Sequence, residues 1–450
     1  MAIPAPNALA RFGLGPRPGD TARVAHDPKA ALLAELRPDI ARLKDPDLPS
    51  VSQAVMALQS LQQTRKAARQ GDKDAEQALK GMQQPGRIYL VEIAARLDRA
   101  TSAEIGFVER LVAFWANHFA VSASTGQMQR ILVGAYERDA IRPHVLGRFT
   151  DMALAATRHA AMLTYLNNAV SVGPDSPFGQ RSGKGLNENH ARELMELHTI
   201  GVTGGYTQDD VIALAKALTG WSVARGPKDK APAGSFLFGR STHEPGPQTI
   251  MGKRYDQPGE EQALAVIDDL AASPRTARHV ATKLARAFVA DDPPPTLVDR
   301  LAEAFTESGG DLMNVSRTLV ESEEAWSGPG KFKDPQLFVW SAVRAFGLKR
   351  QPAAAVKVLR TLGQLPWNPP SPAGYDTTAA TWLAPNALSD RLDAASLMAG
   401  SADPTLDPKA LAADLLGDGV SRETTQAVAR AESRAQALTL LLMSPEFQRT

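Results

Sequence analysis

The chain contains no cysteine. That absence removes disulfides, thiolate nucleophiles, cysteine-ligated zinc and iron–sulfur clusters, and leaves histidine and the carboxylates as the protein ligands open to a metal ion. Aromatic residues make up only 6% of the sequence, too few for a polysaccharide cleft or a base-stacking platform. A surplus of one charge is also missing: 50 basic residues against 49 acidic ones leave a net charge of +1, so no global field draws in nucleic acid or an anionic membrane. No uninterrupted apolar run approaches the roughly 20 residues that span a bilayer. The segment Met1 to Asp20 has Pro4, Pro6, Arg11 and Arg17 but no apolar core between a basic start and a small-residue cleavage site. The sequence as written therefore predicts a soluble, cytoplasmic protein, or an exported one if a leader was removed, with neither nucleic acid nor membrane as partner.

What is present is helical periodicity. Residues 30–36, 105–119, 139–166, 209–219, 261–271, 274–289 and 296–306 repeat apolar side chains every three or four positions, which marks one buried helix face. Strand alternation is scarce. Pro274 suits a first helical turn, and Thr207 stands where an N-cap precedes Val211. At 450 residues the chain exceeds the usual limit of one core. The prediction is a mainly α protein: a large helical domain over 1–325 with long Gly- and Pro-rich loops at 173–185 and 224–259, and a C-terminal helical lobe over 326–450 packed on it, or one continuous domain. Residues 62–86, rich in Lys, Arg, Asp and Gln, read as an exposed helix or a mobile excursion.

Ionisable groups concentrate in the run Asn187-Glu188-Asn189-His190-Ala191-Arg192-Glu193-Leu194-Met195-Glu196-Leu197-His198. On a regular helix Glu188, Arg192 and Glu196 form one ladder. It reads either as an ion-paired surface or as two carboxylates holding a guanidinium toward a substrate anion. His198 falls away from Glu193 and Glu196, so these three cannot chelate one ion from a regular helix. A metal site needs donors from elsewhere, and His118 and His243 are the obvious ones. Each has a plain alternative: His198 as a partner for terminal helix carbonyls, His118 as a hydrogen-bonded core histidine among Phe114, Trp115 and Phe119, and His243 as part of a turn stiffened by Pro245 and Pro247. His144, His159 and His279 read as structural, surface or packing residues. The run Gly201-Val202-Thr203-Gly204-Gly205 follows a helix instead of opening one after a strand, which argues against a dinucleotide site.

Several stretches, in order, resemble the bacterial family known as domain of unknown function 1800. They are Ala10-Arg11-Phe12-Gly13; Phe114 to Phe119; Ile141-Arg142-Pro143-His144 with Gly147 and Phe149; Asn187 through Gly201 and Tyr206 to Gly220-Trp221; and His243-Glu244-Pro245-Gly246 with Gly252. The resemblance implies a mostly helical protein, commonly encoded beside a sulfatase-like partner family, and carries no activity, substrate or cofactor with it. Members often have an export signal, which is not found here. At His190 the family pattern usually has an apolar or aromatic residue, so His190 is not expected to share in any chemistry.

Two readings of function follow. In the first, the protein is a metal-dependent enzyme, a hydrolase in preference to an oxidoreductase: His118, Glu193 and His198 hold a divalent ion, His243 or Glu196 moves a proton, and Arg192, braced by Glu188, pairs with substrate. In the second, it is a non-catalytic partner or structural protein whose motif is a buried polar network fixing a helix junction, with loops that dock the sulfatase-like neighbour. A purely structural metal with a closed shell is a third possibility. The discriminating feature is whether His118, His198 and His243 converge on an open cavity or are separately satisfied in the core.

Overall fold

The apolar stripes become helices. A computed structural model, which describes residues 3–348 and 351–450, holds 26 α-helices and four three-residue strands among those residues. Seven helices position the features discussed below: α1 Pro85–Ser102, α2 Phe107–His118, α3 Gln127–Tyr136, α4 Asn189–Glu193, α5 Gln208–Leu218, α6 Pro274–Phe288 and α7 Pro335–Phe346. Helix α6 shows how the sequence sets an element. The Ser273 side chain caps it by accepting from the Arg275 N–H, Pro274 occupies the first turn, and Ala277, Val280, Ala281, Leu284 and Phe288 line its buried face. Helix α5 begins with a capping box in which Thr207 and Asp210 each accept from the other's backbone N–H. Residues 62–86 run from the end of helix Val51–Arg69 through helix Lys73–Leu79 to the first turn of α1, and most of them are exposed.

The stripe over 139–166 does not form one helix. Glu137–Ile141 is a π-helical turn and Arg142–His144 a 3-10 turn, followed by helices Phe149–Arg158 and Ala160–Tyr165. Pro143 supplies no N–H to a continuing ladder. The second break is at His159, whose extended backbone lets its Nδ1 accept from the Ala161 N–H at 3.1 Å as an N-cap. The stretch 224–259, read from its glycines and prolines as loop, carries short antiparallel pairs. Strand β1 Trp221–Val223 pairs with β2 Phe236–Phe238, and β3 Gln248–Ile250 with β4 Lys253–Tyr255. The second pair is joined by Met251 and Gly252 at φ of 50° and 78°, the left-handed geometry that matches strand twist across a two-residue turn.

One apolar core draws on helices from Ala5 to Ala325, and another on Phe338 to Phe447. Leu14, Leu97, Ala100, Leu337 and Trp340 pack between them. Buried Arg344 of α7 ties this seam, donating to the carbonyls of Gly15 at 2.8 Å and Ala103 at 2.6 Å. No helix among the described residues is long and apolar enough to cross a membrane.

Candidate functional site

The motif helix changes pitch halfway. Asn189–Glu193 is α-helical, but Leu194–His198 is a π turn, so the regular angular layout fails for Glu196 and His198. Such wide turns are uncommon and recur at functional positions. The outward ladder survives the change: Arg192 pairs with Glu188 at 3.1 Å and with Glu196 at 3.5 Å. Gln208, opening α5, donates to Glu188 at 2.7 Å and accepts from Arg192 at 2.9 Å. Each of these half-exposed pairs contributes only a few tenths of a kcal/mol, about 0.3–0.5, so their value is geometric order. Partial burial, then the neighbouring Glu196, raises the carboxyl pKa of Glu193, with Arg192 opposing. Burial and a hydrogen bond to Glu196 push the Tyr206 phenol up to about 12.

The inward side belongs to histidines. His118 Nε2 donates to the His198 carbonyl at 3.0 Å, and His279 Nε2 of α6 donates to the Leu197 carbonyl at 3.1 Å. These are the last carbonyls of the π turn, which the helix itself leaves unpaired. The His118 ring lies 6.2 Å from that of His198 and 6.1 Å from that of His279. Burial, with Lys283 and the neighbouring imidazoles adding repulsion, holds His118 and His198 well below the usual histidine range. His190 is 0% exposed with neither ring nitrogen bonded, and burial pushes its pKa down to about 4. It behaves as an apolar core residue, in keeping with the apolar or aromatic side chain that the resemblance implies there.

The remaining sequence-selected residues have other partners. His243 donates from Nδ1 to the Thr219 carbonyl at 2.8 Å and packs on Phe238. Beside it, buried Glu244 accepts from Asp175 N–H at 2.9 Å and pairs with Lys216 at 3.1 Å, pinning the 173–185 loop to α5. Glu193 neighbours Glu196, Arg192 and Tyr165. Among the described residues no three His, Asp or Glu side chains are grouped so as to hold a metal ion.

The turn after the motif is shaped by the same cluster. Gly201 has φ +82°, and a Cβ there meets His279 Nδ1 at 2.8 Å. Gly201→Ala is expected to lower stability by about 1–3 kcal/mol through backbone strain and displacement of His279. Urea unfolding checks this, and an unchanged midpoint would contradict it.

Sequence reasoning missed a second buried polar array. Arg142 bonds Glu109 of α2 at 2.9 Å and Glu137 at 3.0 Å, Arg96 of α1 pairs with Glu137 at 3.0 Å, and Trp367 Nε1 donates to Glu137 at 2.7 Å. Arg96 also stacks on Trp367 and Trp340, 5.0 and 5.4 Å from the ring centroids. Beside it a cavity of about 110 Å³ is lined by Arg96, Arg110, Phe114, Trp340, Trp367 and Tyr375. The available signal was Glu109, a carboxylate on the apolar face made by Phe107, Val108, Leu111 and Val112.

The family described as protein of unknown function (DUF1800) matches residues 7–449. No curated protein and no solved structure matches the chain. With the match running through every motif above, the protein belongs to the DUF1800 family.

Proposed function

We propose that the protein is a non-catalytic binding partner. Its motif helix is a buried joint on one side and an ordered, net acidic docking face on the other. The observation carrying this reading is that His118 and His279 spend Nε2 on the closing carbonyls of the π turn, so both imidazoles serve to hold one end of the motif helix. Glu188, Arg192, Glu196 and Gln208, locked to one another, then present carboxylate oxygens at fixed positions. The partner of first choice is the sulfatase-like protein that the family resemblance implies, docking through a basic patch.

Binding of that neighbour, measured by calorimetry, is expected to weaken at least about tenfold in a Glu188→Ala, Glu196→Ala double variant with little change in unfolding temperature. Unchanged affinity would remove the docking face from the account.

A second reading, a metal-dependent hydrolase, is favoured by one observation: His118 Nδ1 and His198 Nε2 are buried without partners. Glu193 does not join them. Moreover, Lys283 repels positive charge at both imidazoles, and a divalent cation would feel that field with twice the force. The non-catalytic reading fits these residues better.

A further inference from the structure

The N-terminal helix Ala5–Arg11 and the C-terminal segment around Leu415 and Phe447 line a half-open cavity of about 580 Å³, distant in the chain from the motif helix. Lys333 lines it. The backbone of Lys333 is fixed on both sides, its N–H donating to the Gln448 carbonyl at 2.8 Å and its carbonyl accepting from Arg391 at 2.9 Å. The residue is 2% exposed, and its ammonium lies over the Phe447 ring at 4.3 Å. No carboxylate or hydrogen-bond acceptor meets that ammonium among the described residues.

Lys331, two positions earlier and almost as buried, shows what a structural lysine looks like here. It bonds both Asp291 and the Thr377 carbonyl at 2.5 Å. A buried cation is tolerated when paired and costs stability when it is not, and an aromatic face recovers only part of that cost. The other charged side chains around the cavity are committed or exposed. Arg11 donates to the carbonyls of Ala325, Ser327 and Gly328, and Arg449 to that of Gly330. Glu446 accepts from Ser421 and Thr424, and Glu423 is exposed. Asp334, next to Lys333 in the chain but outside the lining of this cavity, caps α7 through the Leu337 N–H. Lys333 is the buried charged side chain lining this cavity that has an aromatic face but no acid or acceptor.

We infer that this cavity binds an organic anion with a compact apolar tail, its carboxylate on the Lys333 ammonium and its tail against Leu415, Leu416 and Phe447. Burial, reinforced by Arg110 and Arg391, pushes the Lys333 pKa down to about 7, so an arriving carboxylate restores its proton.

Octanoate is the probe. Calorimetry near pH 7, in two buffers of different ionisation enthalpy, is expected to show saturable binding with uptake of about half a proton. Octanol, with the tail but no carboxylate, and the Lys333→Met variant with octanoate are each expected to bind at least about tenfold more weakly. Lys333→Met, which removes an unpaired buried charge, is expected to unfold at no lower temperature than the parent. Should the variant fail to fold, the parent decides alone: above its lysine pKa, affinity for octanoate should fall by about tenfold per pH unit. Absence of saturable binding, equal affinity for octanol, equal affinity in folded Lys333→Met, or binding without proton uptake would each overturn the inference.

Discussion

Arg142→Ala is expected to destabilise the protein by about 3–5 kcal/mol, the cost of breaking a buried ion network from its centre. The guanidinium is 1% exposed and bridges two carboxylates that are themselves buried, Glu109 and Glu137. Burial alone lowers its pKa, yet the two carboxylates overcome that and leave it raised, so the charge is held strongly. Removing the arginine strands both acids inside the core. Arg96 at 3.0 Å from Glu137 and Arg99 at 3.4 Å from Glu109 compensate only in part. Arg142→Lys keeps a charge but loses the fork that reaches both acids, so an intermediate loss is expected. Replacing Arg142, Glu109 and Glu137 together by apolar residues should not recover that loss, because buried Arg96 then loses Glu137 and Arg99 loses Glu109. Denaturant unfolding measures all three, and a loss below about 1 kcal/mol for Arg142→Ala would show that the network is not held as described.

Acid should weaken the fold sharply. His118 and His198 are held well below the usual histidine range, chiefly by burial, and the pKa values of His190 and His159 are pushed down to about 4. In the unfolded chain these groups titrate near about 6.5. Below that pH the unfolded state binds protons that the folded state refuses, so stability is full above about pH 6.5 and falls as pH drops toward 4. Each histidine contributes up to about 1.4 kcal/mol per pH unit, and four together up to about 5.5 per pH unit. Glu92, Asp139 and Glu193, whose pKa values burial raises, act in the opposite sense. The difference between parent and His190→Leu cancels them: the variant should gain stability relative to the parent as pH falls from 6.5 to 5. Identical pH profiles for the two would contradict the burial of an unbonded imidazole at 190.

The helices were readable because burial on one face imposes its period on the sequence, as in α6, where capping serine, first-turn proline and apolar stripe agree. The ladder of Glu188, Arg192 and Glu196 was readable for the same reason, since local spacing fixes which side chains meet. What a π turn does to His198 was not, because no proline or glycine marks the widened turn within Leu194–His198. His279 read as a packing residue among arginines, and its bond to the Leu197 carbonyl depends on two helices meeting 82 positions apart in the chain. Glu137 and Arg142 likewise lie five apart, a spacing that brings them together only because the helix there is π and then 3-10. The histidines drew attention through their chemistry, while the buried cation at Lys333 carried no motif and became visible only beside its cavity.

Elemental mass spectrometry on untagged protein purified without chelators, with the His118→Ala, His198→Ala and His243→Ala variants alongside, tests most directly whether the motif histidines are a joint. The account predicts metal far below one equivalent in the parent under replete conditions, and a lower unfolding temperature for His118→Ala, which frees the His198 carbonyl. Near-stoichiometric metal in the parent, lost in His118→Ala and His198→Ala variants that remain folded, would contradict it and return the site to metal-dependent chemistry.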